Sequence, residues 1–367
     1  MIIEKVETFR AAVPLIKPFK TALRTVVTAE SVIVKVICEG GMTGWGEAPP
    51  TLVITGESLS SIESGIVHVL KPFLIGKNLL NFEVIFQGIQ SILVGNSSAK
   101  AAVDMALYDC LAQYSRLPLY QYLGGYKKEM ETNFTVSVND VSEMGEDAVS
   151  YIEKGFNVLK VKVGLGDSKL DIDRIREIRS RVGPDIKIRL DANQGWKPKE
   201  AVSVIGKMED LNLNIELVEQ PVKAHDIEGL KQVTDSVDTP IMADESVFTP
   251  QQAFDVLKTR SADMINIKLM KAGGIYQASI INQLAEVCGV ECMVGSMIET
   301  RIGITAAAHF AAGKKNITRF DFDAPLMLAD EIVEGGVRYN GRKMSFSEGN
   351  GLGIADVLLN DGEAPAK

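Results

Sequence analysis

What most constrains this chain is an alternation. From Gly125 onward, short runs rich in β-branched residues take turns with helical runs of about ten to fifteen residues. The runs Asn133–Val138, Val158–Val163, Ile186–Asp191, Ile215–Glu219, Pro240–Asp244, Met264–Leu269, Cys292–Ser296 and Thr318–Asp323 read as strands. Helices are expected to start near Ser142, Leu170, Lys199, Asp226, Thr249, Gly274 and Ile302 and, on a weaker pattern, beyond Leu326. Eight strand-then-helix units in about 200 residues predict a (β/α)8 barrel of the TIM type. A doubly wound open sheet usually needs fewer strands. No glycine-rich dinucleotide fingerprint follows any strand here.

The 367 residues leave room for a second unit beside such a barrel. Val6–Val13 and Ser31–Glu39 read as strands, and Gly40-Gly41 is a hairpin break before a third strand near Thr43–Glu47. From about Ser61 to Gly124 the chain reads as mostly helical. Ala99–Tyr114 is expected to form an amphipathic helix, with Ala102, Ala106, Cys110 and Tyr114 at intervals of four. Gly124-Gly125 marks a helix stop and a boundary. The tail carries Gly335-Gly336, Tyr339 and Gly351-Leu352-Gly353 and predicts one or two strands returning to the N-terminal unit. The expected division is 1–125, an α+β cap; 126–325, the barrel; and 326–367, a returning segment.

Composition narrows the function classes. There are 48 acidic and 39 basic residues, a formal charge of −9, with no dense Lys/Arg run. Nucleic acid and anionic membrane are poor partners for such a surface. No apolar run is long enough to span a bilayer, and MIIEKVETFR lacks the layout of a signal peptide, so a cytoplasmic location is expected. Cys38, Cys110, Cys288 and Cys292 sit in apolar contexts, as reduced core cysteines do. His68, His225 and His309 show no metal-ligand spacing. A histidine-centred metal or catalytic site is therefore not expected.

In a barrel of this kind, functional groups sit at the C-terminal ends of the strands. The second strand carries Lys160 and Lys162, two apart and so on one face, with Leu159, Val161 and Val163 on the other. The lysines are expected inside the barrel, where mutual repulsion would lower the pKa of at least one toward that of a usable base. The third, fourth and fifth strands each end in an acid: Asp191, Glu219 and Asp244. A lone acid at a strand end is commonly a helix cap. Three at one level would be costly without a cation, and oxygen donors without histidine favour Mg2+, with Mn2+ second. The sixth strand places Lys268 across the barrel from Lys160 and Lys162, with Asn266 on the same face.

Lys160-Val-Lys162, Asp191-Ala-Asn193, Glu219-Gln-Pro221, Asp244-Glu245, Asn266-Ile-Lys268 and Lys271-Ala-Gly-Gly274 together resemble the enolase superfamily and, within it, the muconate-lactonizing-enzyme subgroup. The resemblance covers nearly the whole chain. It implies a modified (β/α)8 barrel joined to an α+β capping domain built from both termini. It also implies abstraction of a proton α to a metal-bound carboxylate, giving an enediolate. Subgroup members include cycloisomerases, o-succinylbenzoate synthases, N-acylamino acid racemases and dipeptide epimerases. Lysines on both sides of the α-carbon suit 1,1-proton transfer. Lys162 and Lys268 are expected to exchange the proton, while Lys160 lowers the pKa of Lys162 and hydrogen-bonds the carboxylate.

The eighth strand ends in Asp321-Phe-Asp323, a carboxylate pair suited to a substrate ammonium and similar to the pair used by dipeptide epimerases. Lys17–Thr25 reads as a loop matching the mobile specificity loop of the family. Its Arg24 can pair with a substrate side-chain carboxylate, with Lys20 as competitor. Thr51–Gly56 is expected to be a second covering loop, with Ile54 as an apolar lid. Thr135 and Ser296 would bond the peptide linkage, and Ile298 would pack near the side chain. The expected substrate is therefore a dipeptide ending in an acid, Ala-Glu being the economical choice. An N-acylamino acid racemase or an o-succinylbenzoate synthase is the alternative. A homo-oligomer is expected.

Overall fold

The computed structural model describes residues 1–358; residues 359–367, the end of the expected returning segment, lie outside the described residues. Strands β1 (Ile3–Lys20), β2 (Thr25–Cys38) and β3 (Met42–Ala48) form an antiparallel sheet in that order. β1 runs well past the expected end at Val13. After a register shift between Pro14 and Phe19 the pairing resumes, Phe19 with Val26 and Lys20 with Thr25. The expected loop over Lys17–Thr25 thus shrinks to residues 21–24. Thr21 closes this turn, its Oγ1 accepting from the amides of Leu23 at 3.1 Å and Arg24 at 3.2 Å. Pro14 and Pro18 are tolerated because β1 is an edge strand.

The helix Ser97–Tyr114 is not amphipathic. It is buried on nearly every side, because it is shared by two cores. Ala102, Ala106 and Cys110 pack with the sheet, whereas Ala101, Met105 and Ala112 pack with the barrel. β3 lies directly on it. A Cβ at Gly44 would stand 2.0 Å from the Ala106 carbonyl oxygen, and one at Gly46 1.9 Å from that of Ala102. Only glycine permits that approach. Cys38, Cys110 and Cys292 are buried as expected. Cys288, just past the helix Ile275–Val287, is exposed.

After β4 (Glu129–Glu131) come eight parallel strands in sequential order: β5 (Phe134–Val136), β6 (Val158–Lys162), β7 (Lys187–Asp191), β8 (Ile215–Glu219), β9 (Ile241–Ala243), β10 (Met264–Ile267), β11 (Glu291–Val294) and β12 (Ile317–Phe320). They form a curled sheet. Among the described residues no strand pairing joins β5 to β12. Side chains bridge that seam instead: Asn133 Nδ2 donates to Asp321 Oδ1 at 2.7 Å, the Thr135 amide to Asp323 Oδ2 at 2.6 Å, and the Phe322 amide to Thr132 Oγ1 at 2.9 Å. The strands are shorter than expected. Asp244 and Lys268 each lie one residue past their strand, Ser296 two past β11, and Asp321 and Asp323 past β12.

Long helices follow the first seven barrel strands. The helix expected beyond Leu326 does not form. A single 3-10 turn, Ala324–Met327, takes its place. In the tail, β13 (Val333–Gly335) pairs with β16 (Ile354–Val357), and Val333 and Val357 pack on Ile33 and Trp45 of the cap. β14 (Val337–Asn340) pairs with β15 (Lys343–Phe346), which pairs with β4, so the tail also joins the barrel unit.

Cap and barrel are tied beside the mouth by Glu47. Its carboxylate accepts from the Thr300 amide at 2.8 Å, Thr300 Oγ1 at 2.7 Å and the Gly303 amide at 2.8 Å. These lie at the start of the helix Arg301–Gly313, where a negative charge is favoured. Leu217, Met242, Met264 and Met293 form a small apolar cluster of their own. They come from β8, β9, β10 and β11, one from each strand.

Candidate active site

Period-two alternation in β6 sends Leu159 and Val161 into the apolar core. Lys160 and Lys162 take the other face. Lys160 Nζ meets Glu219 Oε2 at 2.8 Å, Asp321 Oδ2 at 2.8 Å and Asp191 Oδ2 at 2.9 Å, so three acids surround its ammonium. Lys162 Nζ meets Asp191 Oδ2 at 2.6 Å and Asn193 Oδ1 at 3.2 Å. Lys268 Nζ meets Asp244 Oδ2 at 2.7 Å.

Neither Lys160 nor Lys268 is depressed. Burial pulls Lys160 and Lys268 down, but the facing carboxylates outweigh it, Asp191 and Asp321 for Lys160 and Asp244 for Lys268, and both pKa values rise. The sequence shows the neighbour two residues away. It does not show the acids brought in from other strands.

Asp191 and Glu219 are register partners on adjacent strands, and Asp244 follows the next strand. All three are buried, and none lines the cleft; they lie beneath it. Ammonium groups stand between them, so among the described residues no three metal-binding side chains form a ready cluster. The donor set nevertheless suits a hard divalent cation. Asp191, Glu219, Asp244, Glu245, Asp321 and Asp323 face Lys160, Lys162, Lys268 and Lys271, all buried. Asp191, Glu219 and Asp244 offer carboxylate oxygens alone, the donors a hard divalent cation takes. Glu245 Oε2 is buried with no hydrogen-bond partner among the described residues. Burial, with Asp191 nearby, pushes Glu219 up to about 7, and burial beside Asp244 pushes Glu245 up to about 8.

Above the acids opens a cleft of about 570 Å3. Lys162 and Lys268 line it, with Arg24, Ile54, Thr135, Lys160, Ser296, Ile298, Asp321 and Asp323. Arg24 has no acidic partner among the described residues, and burial lowers its pKa. Lys20 does not line the cleft; its Nζ donates to Asn139 Oδ1 at 2.8 Å. Asp321 is held low, since Lys160 and Asn133 outweigh its burial. Burial and the charge of Asp321 push Asp323 up to about 7.

Sequence reasoning missed Phe19, Leu23, Val53, Asn193, Met297 and Met327, which also line the cleft. Asn193 was within reach as part of Asp191-Ala-Asn193. Met327 was not, because its position depends on the 3-10 turn. Lys271 was quoted without a role. It is buried, its Nζ meeting Asp244 Oδ1 at 2.6 Å and the carbonyls of Val247 and Asn266 at 3.0 Å each. It fixes the turn that presents Asp244.

Comparison with known proteins adds the following. The family model described as "Mandelate racemase / muconate lactonizing enzyme, N-terminal domain" matches residues 3–124, and "Enolase C-terminal domain-like" matches residues 143–355. The L-Ala-D/L-Glu epimerase of Bacillus subtilis (strain 168) is 65% identical over 363 residues, covering 99% of each chain. A substrate-liganded complex of the Bacillus subtilis L-Ala-D/L-Glu epimerase superimposes with a TM-score of 0.97 at 65% identity, covering 98% of this chain and 100% of that one. The dipeptide epimerase of Enterococcus faecalis V583, complexed with Mg and L-Leu-L-Tyr, gives 0.93 at 46% identity, covering 97% and 100%.

Proposed function

This chain belongs to the mandelate racemase / muconate lactonizing enzyme family, with an enolase-like C-terminal domain, and on that footing we propose that it epimerises L-Ala-D/L-Glu dipeptides at the glutamate α-carbon. It is an isomerase acting on dipeptides. The observation that carries the mechanism is that Lys162 and Lys268 reach one cleft from the second and sixth strand positions of eight, on opposite sides of the barrel.

One lysine takes the α-proton and the other returns a proton to the opposite face, so the α-carbon inverts. The epimer bound decides which acts first. Asp191, Glu219 and Asp244 would hold a divalent cation, Mg2+ before Mn2+; the Enterococcus faecalis relative carries Mg with its dipeptide. When bound, such a cation supplies positive charge to the substrate carboxylate as the α-proton leaves. Lys160 ties Asp191 and Glu219 to Asp321. Asp321 and Asp323 hold the substrate α-ammonium. Thr135 and Ser296 hydrogen-bond the peptide linkage, Arg24 pairs with the glutamate side chain, and Ile54 and Ile298 keep water out.

A cytoplasmic role on cell-wall peptide, as a homo-oligomer, completes the proposal. Among the described residues no helix is long and apolar enough to cross a membrane. The competing substrate class is an N-acylated amino acid, which has no ammonium for Asp321 and Asp323. Parallel turnover of Ala-Glu and N-acetyl-Ala-Glu tests this. Preference for the free amine supports the dipeptide, and preference for the blocked one rejects it.

A further inference from the structure

Asn193 stands on the wall of the cleft, two residues past Asp191, and is 4% exposed. Its backbone is left-handed, with φ 41°. Asn and Gly accept that conformation more readily than other residues. Three contacts fix it. Its amide donates to Asp191 Oδ1 at 2.9 Å, its Nδ2 donates to Glu245 Oε1 at 3.2 Å, and its Oδ1 accepts from Lys162 Nζ at 3.2 Å.

The two ends of the Asn193 side chain are not interchangeable. An ammonium can only donate, so the amide oxygen must face Lys162, and the NH2 is left for Glu245. Lys162 then has two of its three N–H directions taken, by Asp191 and Asn193. The ring of Phe19, a wall of the cleft, lies with its centroid 5.7 Å from Nζ. Among the described residues Lys268 has no such holder: its Nζ meets the carboxylates of Asp244, at 2.7 Å, and Glu219, at 3.9 Å.

We propose that Asn193, braced by Glu245, is the positioning residue of Lys162, aiming its Nζ into the cleft on one face of the substrate α-carbon only. This rests on the two-lysine mechanism above. Its signature is an asymmetry between the two faces, which a general loosening of the site would not produce.

The test is Asn193→Gly, which removes the side chain and keeps the left-handed backbone available. L-Ala-L-Glu and L-Ala-D-Glu are incubated separately in D2O with Mg2+, and α-deuterium uptake is followed by NMR alongside inversion. Exchange in the epimer served by Lys162 should slow by about tenfold to a hundredfold, as small misplacements of a reacting group do. Exchange without inversion in the epimer served by Lys268 should stay within about twofold. Mg2+ affinity, measured by calorimetry without substrate, should be unchanged. Equal slowing of both epimers, a raised KM without asymmetry, or lost Mg2+ affinity would each overturn the proposal. If the glycine variant does not accumulate, Asn193→Ser decides by the same measurements. Absence of exchange in the unsubstituted chain would overturn the two-lysine mechanism itself, and this role with it.

Discussion

Lys160 and Asp321 meet across the open seam of the barrel, Nζ to Oδ2 at 2.8 Å. The same ammonium reaches Asp191 and Glu219. One side chain therefore joins the acids suited to a cation with the acid suited to a substrate ammonium. Asp321 in turn accepts from Asn133, whose Oδ1 accepts from Arg189 Nη1 at 3.2 Å.

Removing the charge of Asp321 should separate its two roles. Asp321→Asn should lower kcat/KM for Ala-Glu by about a hundredfold, ~2.7 kcal/mol of lost transition-state binding. Because the ammonium partner is what is lost, N-acetyl-Ala-Glu should be affected far less. Steady-state kinetics on both substrates checks this. Equal losses would mean that Asp321 serves only the seam.

How much of this was legible in the sequence depends on where each interaction partner lies. Lys160 and Lys162 were placed by alternation within one strand, and Asp191, Glu219 and Asp244 by the repeat length. Both signals are local. The rise at Lys160 was not legible because the acids around it, Asp191, Glu219 and Asp321, come from other strands. The helix Ser97–Tyr114 was misjudged because small residues on every side suit a helix between two cores, which periodicity alone does not distinguish from one surface stripe. The strand β1 outran its expected end because edge position tolerates prolines, and position in a sheet is not written in a strand's own residues.

Arg24 should read the substrate side chain. Arg24→Ala should cost about 2–5 kcal/mol in kcat/KM for Ala-Glu, because a buried carboxylate loses its partner. For Ala-Leu the loss should be small. The ratio of the two specificity constants is the measurement. An equal fall on both would assign Arg24 to shaping the turn at residues 21–24.

Gly46 and Gly206 should respond oppositely to alanine. At Gly46 the new Cβ would collide with the backbone of a buried helix, so destabilisation of about 1–3 kcal/mol or more is expected. At Gly206, in the helix Pro198–Asp210, nothing lies within 4 Å, so alanine should stabilise by about 0.4–1 kcal/mol. Urea denaturation of the two variants checks both signs.

His309 should make the fold sensitive to acid. It is buried, its Nδ1 accepts from the Tyr120 amide at 2.9 Å, and burial pulls its pKa down to about 3. The unfolded chain binds the proton near 6.5, so the unfolded state holds more protons between those values, and stability falls as pH falls through that window. At pH 4.5 the stability lost is roughly 2–3 kcal/mol. His309→Gln should lose that part of the difference in urea midpoint between pH 7 and pH 4.5. An unchanged difference would mean that His309 does not titrate on unfolding.

The most direct test of the central claim follows the α-carbon itself. L-Ala-L-Glu is incubated with the enzyme and Mg2+ in D2O, and the products are resolved by NMR and mass. Two lysines on opposite faces require that L-Ala-D-Glu appears carrying one deuterium at the glutamate α-carbon. They also require that Lys162→Ala and Lys268→Ala each abolish inversion while exchanging deuterium into opposite epimers. Inversion without deuterium uptake, or full two-way inversion by either variant, would contradict the account.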